Sequence, residues 1–131
     1  MAKRTPKAKQ RVPRTHGGGA WTKSQYFGFI RGALRRAATR YPVKYQVKDA
    51  ARRPKPEGTP GRHRFEFNCN HCDGWFKEAD TEVDHIVPAG SLRDFDDLAG
   101  FCERLFCEPD NLQLLCKKCH RTKTNEERKK K

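Results

Sequence analysis

Apolar residues first gather along the chain at Tyr26, Phe29, Ile30, Ala33, Leu34, Ala37 and Tyr41, in steps that trace one stripe of a helix. Thr22 is placed to cap that helix, and Tyr41-Pro42 to end it, because the residue before a proline is pushed out of helical geometry. The pattern predicts one amphipathic helix over 22–40, within a basic helical extension spanning 21–47. Arg31 and Arg35 fall opposite the stripe, Arg36 and Arg40 flank it, and no acid accompanies them. Ahead of the helix, residues 1–20 hold six Lys/Arg, two Pro and three consecutive Gly with almost nothing bulky and apolar. Such a segment buries too little surface to offset its ordering entropy, so a disordered basic arm is expected. Behind the helix, residues 48–63 mix three Pro and two Gly with basic residues and read as a linker.

A compact module is expected over 64–127, followed by a basic tail at 128–131. RFEFNC at 64–69 alternates as a strand does, and Cys69-x-x-Cys72 then makes a turn. A second strand fits 82–87, stopped by Pro88. Phe95, Leu98, Cys102, Leu105 and Phe106 fall at helical spacing and predict an inserted helix over 94–107, capped by Ser91 or Asp94. A short apolar strand at 112–115 comes next. A last helix opens near Cys116 and carries His120, Lys123 and Thr124.

Composition changes this picture in two ways. With 131 residues of which 34% are hydrophobic, the chain can build one domain with a small core, and a staple is expected. The arm lacks the apolar stretch of a signal peptide, and no apolar run nears the roughly 18 residues of a membrane span, so a soluble, cytoplasmic protein is expected. In a reducing compartment paired cysteines favour zinc over disulfides. Charge is also uneven: residues 1–63 carry 17 Lys/Arg against Asp49 and Glu57 alone, whereas 64–131 carry 12 against 14 acids. A basic half of this kind binds polyanions through phosphate contacts; the plainer alternatives are a solubilising tail and a solvated helix face.

Cys69-Asn-His-Cys72 and Cys116-Lys-Lys-Cys119 are knuckles of the type that close on tetrahedral zinc. The 43 residues between them exceed the roughly 15 to 20 of the commonest ribbons, which is explicable if a strand and an inserted helix lie between. Cys102 and Cys107, on that helix, are read as small core hydrophobes, and His71 as an exposed knuckle residue. Asp84 and His85 stand side by side at a strand end and therefore face opposite ways. A carboxylate there can ligate a hard divalent cation, and an imidazole can take a proton from water near neutral pH. His120 can reach the same ion from the last helix. Taken singly, His85 reads equally as a satisfied core histidine and His120 as a substitute zinc ligand.

Together, Cys69-x-x-Cys72, Asp84-His85-Ile86 and Asn111-Leu112-Gln113-x-Leu115-Cys116-x-x-Cys119-His120-x-x-Lys123-Thr124 resemble the HNH endonuclease family, whose ordered His, Asn and His are met by His85, Asn111 and His120. The resemblance implies an α+β fold with a small ββα-metal (His-Me finger) module beside a four-cysteine structural zinc. It implies His85 as the general base, with Asp84 and His120 holding a catalytic divalent cation, Mg2+ or Mn2+, with Ni2+ or Zn2+ as further options. Asn111 would hold the loop and orient the base, or approach the metal as in some members. Lys123 and Thr124 would share the face of His120 and contact phosphate. Free-standing enzymes of this kind are typical of bacteriophages and their hosts. The implied partner is double-stranded DNA, gripped by Arg31, Arg35, Arg36, Arg40 and Lys123, with a second copy of the chain or phage packaging proteins as further partners. Two other readings are a non-catalytic zinc module that binds nucleic acid and a nuclease subunit that assists DNA packaging.

Overall fold

The computed structural model describes residues 11–130; the first ten residues of the expected arm and Lys131 of the expected tail lie outside the described residues. Helix α1 (Lys23–Ala38) begins where a capping box predicts it. Thr22 takes the Gln25 backbone N–H at 3.2 Å, and the Gln25 side chain takes that of Thr22 at 2.8 Å. It ends ahead of Pro42, which becomes the first residue of a second helix, α2 (Pro42–Ala50). Proline there costs nothing, because the N–H it lacks has no partner in the first turn of a helix. The described part of the arm folds back on α1 through a turn that pairs His16 with Trp21, with Gly17, Gly18 and Gly19 all at positive φ.

The buried stripe of α1 is rotated from the expected one. Phe27 is its centre, 2% exposed, with Tyr26, Ile30, Leu34 and Ala38 packed around it, while Phe29 is 57% exposed. Two apolar rows compete on this helix, and the one chosen is the row that meets Ala89, Leu92, Phe101 and Leu105. Arg35 consequently faces the core side rather than its opposite, with its guanidinium carbon 5.6 Å from the centre of the Phe101 ring.

The expected linker is also corrected. Its first residues finish α2, and Arg52–Pro54 form strand β1, which pairs antiparallel with β2 (Phe65–Asn68); β3 (Trp75–Phe76) completes a three-stranded sheet in the order β1-β2-β3. Pro54 is tolerated because it ends an edge strand. The two arginines of β1 lie over aromatic rings, Arg52 4.4 Å from the Phe65 centroid and Arg53 3.8 Å from that of Trp75. Basic composition therefore conceals a strand here.

The second sheet is a pair, β4 (Thr81–His85) and β5 (Leu112–Cys116), antiparallel with Asp84 opposite Gln113 and His85 opposite Leu112. Helix α3 (Leu98–Leu105) is inserted between them, after a 3-10 turn capped by Asp94. It is shorter than the helix expected over 94–107. Helix α4 (Lys117–Lys129) continues directly from β5 and stays helical into the region expected to be tail. The chain is thus α+β, with a β4–β5–α4 finger carrying α3 as an insert. Its interior is three small clusters, around Phe27 and Phe101, around Val43, Cys107 and Leu112, and around Cys69, Leu115 and Cys116. Cys102 lies half-buried on α3 and Cys107 buried just beyond its end, rather than both on the helix, and neither joins the cluster formed by the other four cysteines.

Candidate active site

Cys69 leaves the end of β2 fully buried, and the turn after it is held by Asp73 in the left-handed region, φ 62°. Gly74 follows, where a Cβ would lie 2.9 Å from the Phe76 ring. The knuckle is locked to β5, the Asn70 N–H donating to the Leu114 carbonyl at 2.8 Å. Cys116 caps α4 and takes the Cys119 N–H at 3.5 Å, bringing the second pair to the first. The ligand atoms of Cys69, Cys72, Cys116 and Cys119 all lie within 4.8 Å of one another, Cys72 and Cys116 at 4.0 Å. A tetrahedral Zn–S length of about 2.3 Å implies sulfurs about 3.8 Å apart, so the cluster fits such an ion with little adjustment.

The thiols themselves favour a cation. Burial works to raise the pKa of Cys69, but the backbone N–H groups of Cys72, Cys116 and His71 outweigh it and bring it down to about 6. Cys119 is pushed up to about 12 by its bond with Cys116 and by burial. Four sulfurs this close cannot all be thiolates unless a cation joins them. His71 does more than decorate the knuckle: its Nδ1 is 3.6 Å from the Cys119 sulfur.

Asp84 and His85 are adjacent at the end of β4, and both line one cleft. His85 Nε2 lies 3.0 Å from the carbonyl of Leu105, the last residue of α3. A carbonyl only accepts, so Nε2 carries the hydrogen and Nδ1 is left with its lone pair. Asp84, with its side chain 14% exposed, places Oδ1 3.6 Å from His120 Nε2. Two donors at that separation can both reach one cation at ligand distances of about 2.0–2.2 Å. Its Oδ2 accepts from Lys123 at 2.7 Å and from Gln113 at 3.3 Å.

Asn111 closes the loop beyond His85. Its side chain accepts from Val87 N–H at 2.9 Å and donates to the Val87 carbonyl at 3.2 Å, and its own carbonyl takes the Ile86 N–H at 2.8 Å. This side chain replaces the strand pairing expected at 86–87, where β4 has already ended.

Lys123 departs from the expected phosphate contact. Its ammonium donates to Asp84 Oδ2, to the His85 carbonyl at 2.7 Å and to Glu127 at 2.6 Å, which uses all three of its N–H donors inside the protein. Burial pulls its pKa down, but the Asp84 and Glu127 carboxylates outweigh this and hold it above the ordinary lysine value. Thr124 likewise turns its hydroxyl back to the His120 carbonyl at 2.9 Å.

The four helix arginines are not brought together. Arg35 lines a cleft of about 450 Å³ with Asp84, His85, Thr124 and Glu127. Arg31 lies in a separate depression with Leu92 and Arg93, while Arg36 and Arg40 are exposed and line neither. Two participants had no signal in the motif, the Leu105 carbonyl, which is backbone, and Glu127; Gln113 stood in the motif without an assigned role, and its amide joins Asp84 to Asn70 of the first knuckle, 2.9 Å away. The strand register alone, pairing 84 with 113, points to the last.

Residues 107–126 match the family model described as HNH endonuclease, a stretch that contains Asn111, Cys116, Cys119 and His120. A protein of Lactococcus phage SK1 named "Probable HNH endonuclease" is 43% identical over 65 residues, 50% of this chain and 62% of that protein. Over these stretches the chain is similar to the HNH family. The chain spans less than two thirds of the phage relative it matches. No solved structure matches it. The family match stops short of Asp84 and His85, which the pairing of β4 with β5 sets beside the matched stretch. No helix among the described residues is long and apolar enough to cross a membrane.

Proposed function

We propose that this chain is a metal-dependent DNA endonuclease that hydrolyses a phosphodiester bond of duplex DNA, with a four-cysteine structural zinc and one catalytic divalent cation. The observation that carries the reading is the pairing of His85, its Nδ1 left free by the Leu105 carbonyl, with Asp84, which lines the same cleft and lies 3.6 Å from His120. His85 Nδ1 takes the proton of the attacking water, Asp84 and His120 hold the ion, and Asn111 fixes the loop that carries the base. When bound, a divalent cation supplies positive charge for the phosphate oxygens and the leaving oxygen. Mg2+ or Mn2+ suits this donor set, because such hard ions keep several water ligands and need few from the protein.

The phage relative's printed name supports the same reaction class. The basic half of the chain supports a polyanionic substrate, with Arg36 and Arg40 holding phosphates beside the cleft. One such site per chain means one strand cut per encounter, so a double-strand break requires two copies.

The test incubates purified protein and His85→Ala with supercoiled plasmid, in EDTA and in Mg2+ or Mn2+. Conversion to nicked DNA by wild type with metal is expected, and a drop of about a hundred- to ten-thousand-fold in the variant, the usual worth of a general base. A folded, zinc-loaded wild type that binds duplex DNA without cutting it sinks the nuclease and leaves a nucleic-acid-binding zinc module.

A further inference from the structure

The cleft beside His85 is lined by charges of both signs. Asp84 and Glu127 are the carboxylates of its lining, the exposed Arg128 and Lys130 at the end of α4 are cations of the same lining, and Lys123 already gives its three donors to protein acceptors. Hydrolysis adds charge at this point. A bond forms between water oxygen and phosphorus, a phosphorus–oxygen ester bond breaks, one water proton passes to His85 Nδ1, and the leaving oxygen takes a proton from solvent. Negative charge grows meanwhile on the phosphate oxygens, and positioned donors are worth most there.

Helix α1 supplies a cation at that place. Arg35 lines the cleft with Asp84 and His85, and it also lines a smaller cavity on the other flank of the imidazole, with Leu105 and Tyr41. Its guanidinium rests 5.6 Å from the centre of the fully buried Phe101 ring, a contact that limits where the side chain points. Among the described residues no carboxylate lies within ion-pair distance of it and no acceptor takes its N–H groups. A planar fork of five donors is thus unspent, at the mouth of the site, in the geometry that suits phosphate.

We propose that Arg35 is a catalytic residue that contacts the scissile phosphate, so that the N-terminal helix completes the active site of the finger. The inference rests on the endonuclease reading above. It separates Arg35 from Arg36, on the same helix, and from Arg40, beyond its end, which line neither cavity and contribute to affinity alone.

The experiment measures single-turnover cleavage at saturating protein in Mg2+, and duplex affinity in EDTA, for wild type, Arg35→Ala, Arg35→Lys and Arg36→Ala. Arg35→Ala is expected to cut about a hundred- to a thousand-fold more slowly with affinity changed no more than in Arg36→Ala, as for loss of one transition-state donor. Arg35→Lys, which keeps the aliphatic stem and the charge, should recover part of the rate, and it carries the test if Arg35→Ala melts early. A wild type that cuts while both Arg35 variants cut at the same saturated rate, with weakened affinity only, overturns the catalytic role and leaves the nuclease intact. A wild type that binds and never cuts overturns the nuclease and this role together.

Discussion

The two oxygens of Asp84 have different neighbours, and that difference organises the site. Oδ1 faces His120, while Oδ2 is held by Lys123 and Gln113, so the carboxylate offers one oxygen outward in a fixed direction. Lys123 therefore acts as a strut. Lys123→Met should leave duplex affinity within about twofold while lowering cleavage by about ten-fold or more; a large affinity loss with normal turnover would restore the phosphate contact. Hydrogen bonds to charged groups contribute about 1.5–3 kcal/mol each in partly buried settings, so a measurable fall in thermal stability is expected too. The pH dependence has a definite sign. The folded-state pKa of Lys123 is raised above its unfolded value near 10.5, so its contribution is fully present below that value and is lost as pH rises through the folded pKa. Wild type should thus lose stability above about pH 10.5 relative to Lys123→Met, as read by denaturant titration of both proteins across that range.

At the scale of elements, α1 is defined by which of its rows is buried. Phe27 joins α1 to α3 through Phe101 and to the 89–92 segment, and Phe27→Ala should cost about 3–5 kcal/mol, typical of deleting a buried ring. Calorimetry of the zinc-loaded protein checks this; a loss below about 1 kcal/mol would mean that α1 is not anchored as described. The two ends of α1 were legible, because a capping box and a proline act through neighbouring residues. Its buried face was not, because residues some sixty to eighty positions away choose between two apolar rows. The same contrast runs through the site. Residue type and order single out Asp84, His85, Asn111 and His120 as candidates, and the structure sets Asp84 3.6 Å from His120 and has Asn111 hold the loop after His85. The inward turn of Lys123, the Leu105 carbonyl behind His85 and the Gln113 bridge depend on pairing β4 with β5 and on where α3 ends. Strand β1 was hidden because its exposed arginines look like linker residues until the rings beneath them are seen.

For the whole molecule the question is what holds three small clusters together. Each contains only three to five buried residues, and the third is centred on cysteines, so apolar burial there is modest. The four sulfurs come from the end of β2, its knuckle, the end of β5 and the first turn of α4, so one ion held there would tie both sheets to the helix that carries His120. With zinc as the ion, its binding would be folding free energy for the finger, and Cys116→Ser should lose the cooperative thermal transition of β4–β5–α4. Protons make the coupling measurable. In the metal-free fold the Cys119 pKa stands at about 12, so its thiol is neutral at pH 7 and must release a proton when the ion enters. Acid opposes that release, so zinc affinity should fall as pH is lowered, and strong chelators at mildly acidic pH should unfold the finger first. Zinc calorimetry in two buffers of different ionisation enthalpy would report the protons released. A thermal transition that is indifferent to EDTA, together with zinc binding that releases no protons, would show that the cysteines close on no ion and that the core alone sustains the fold.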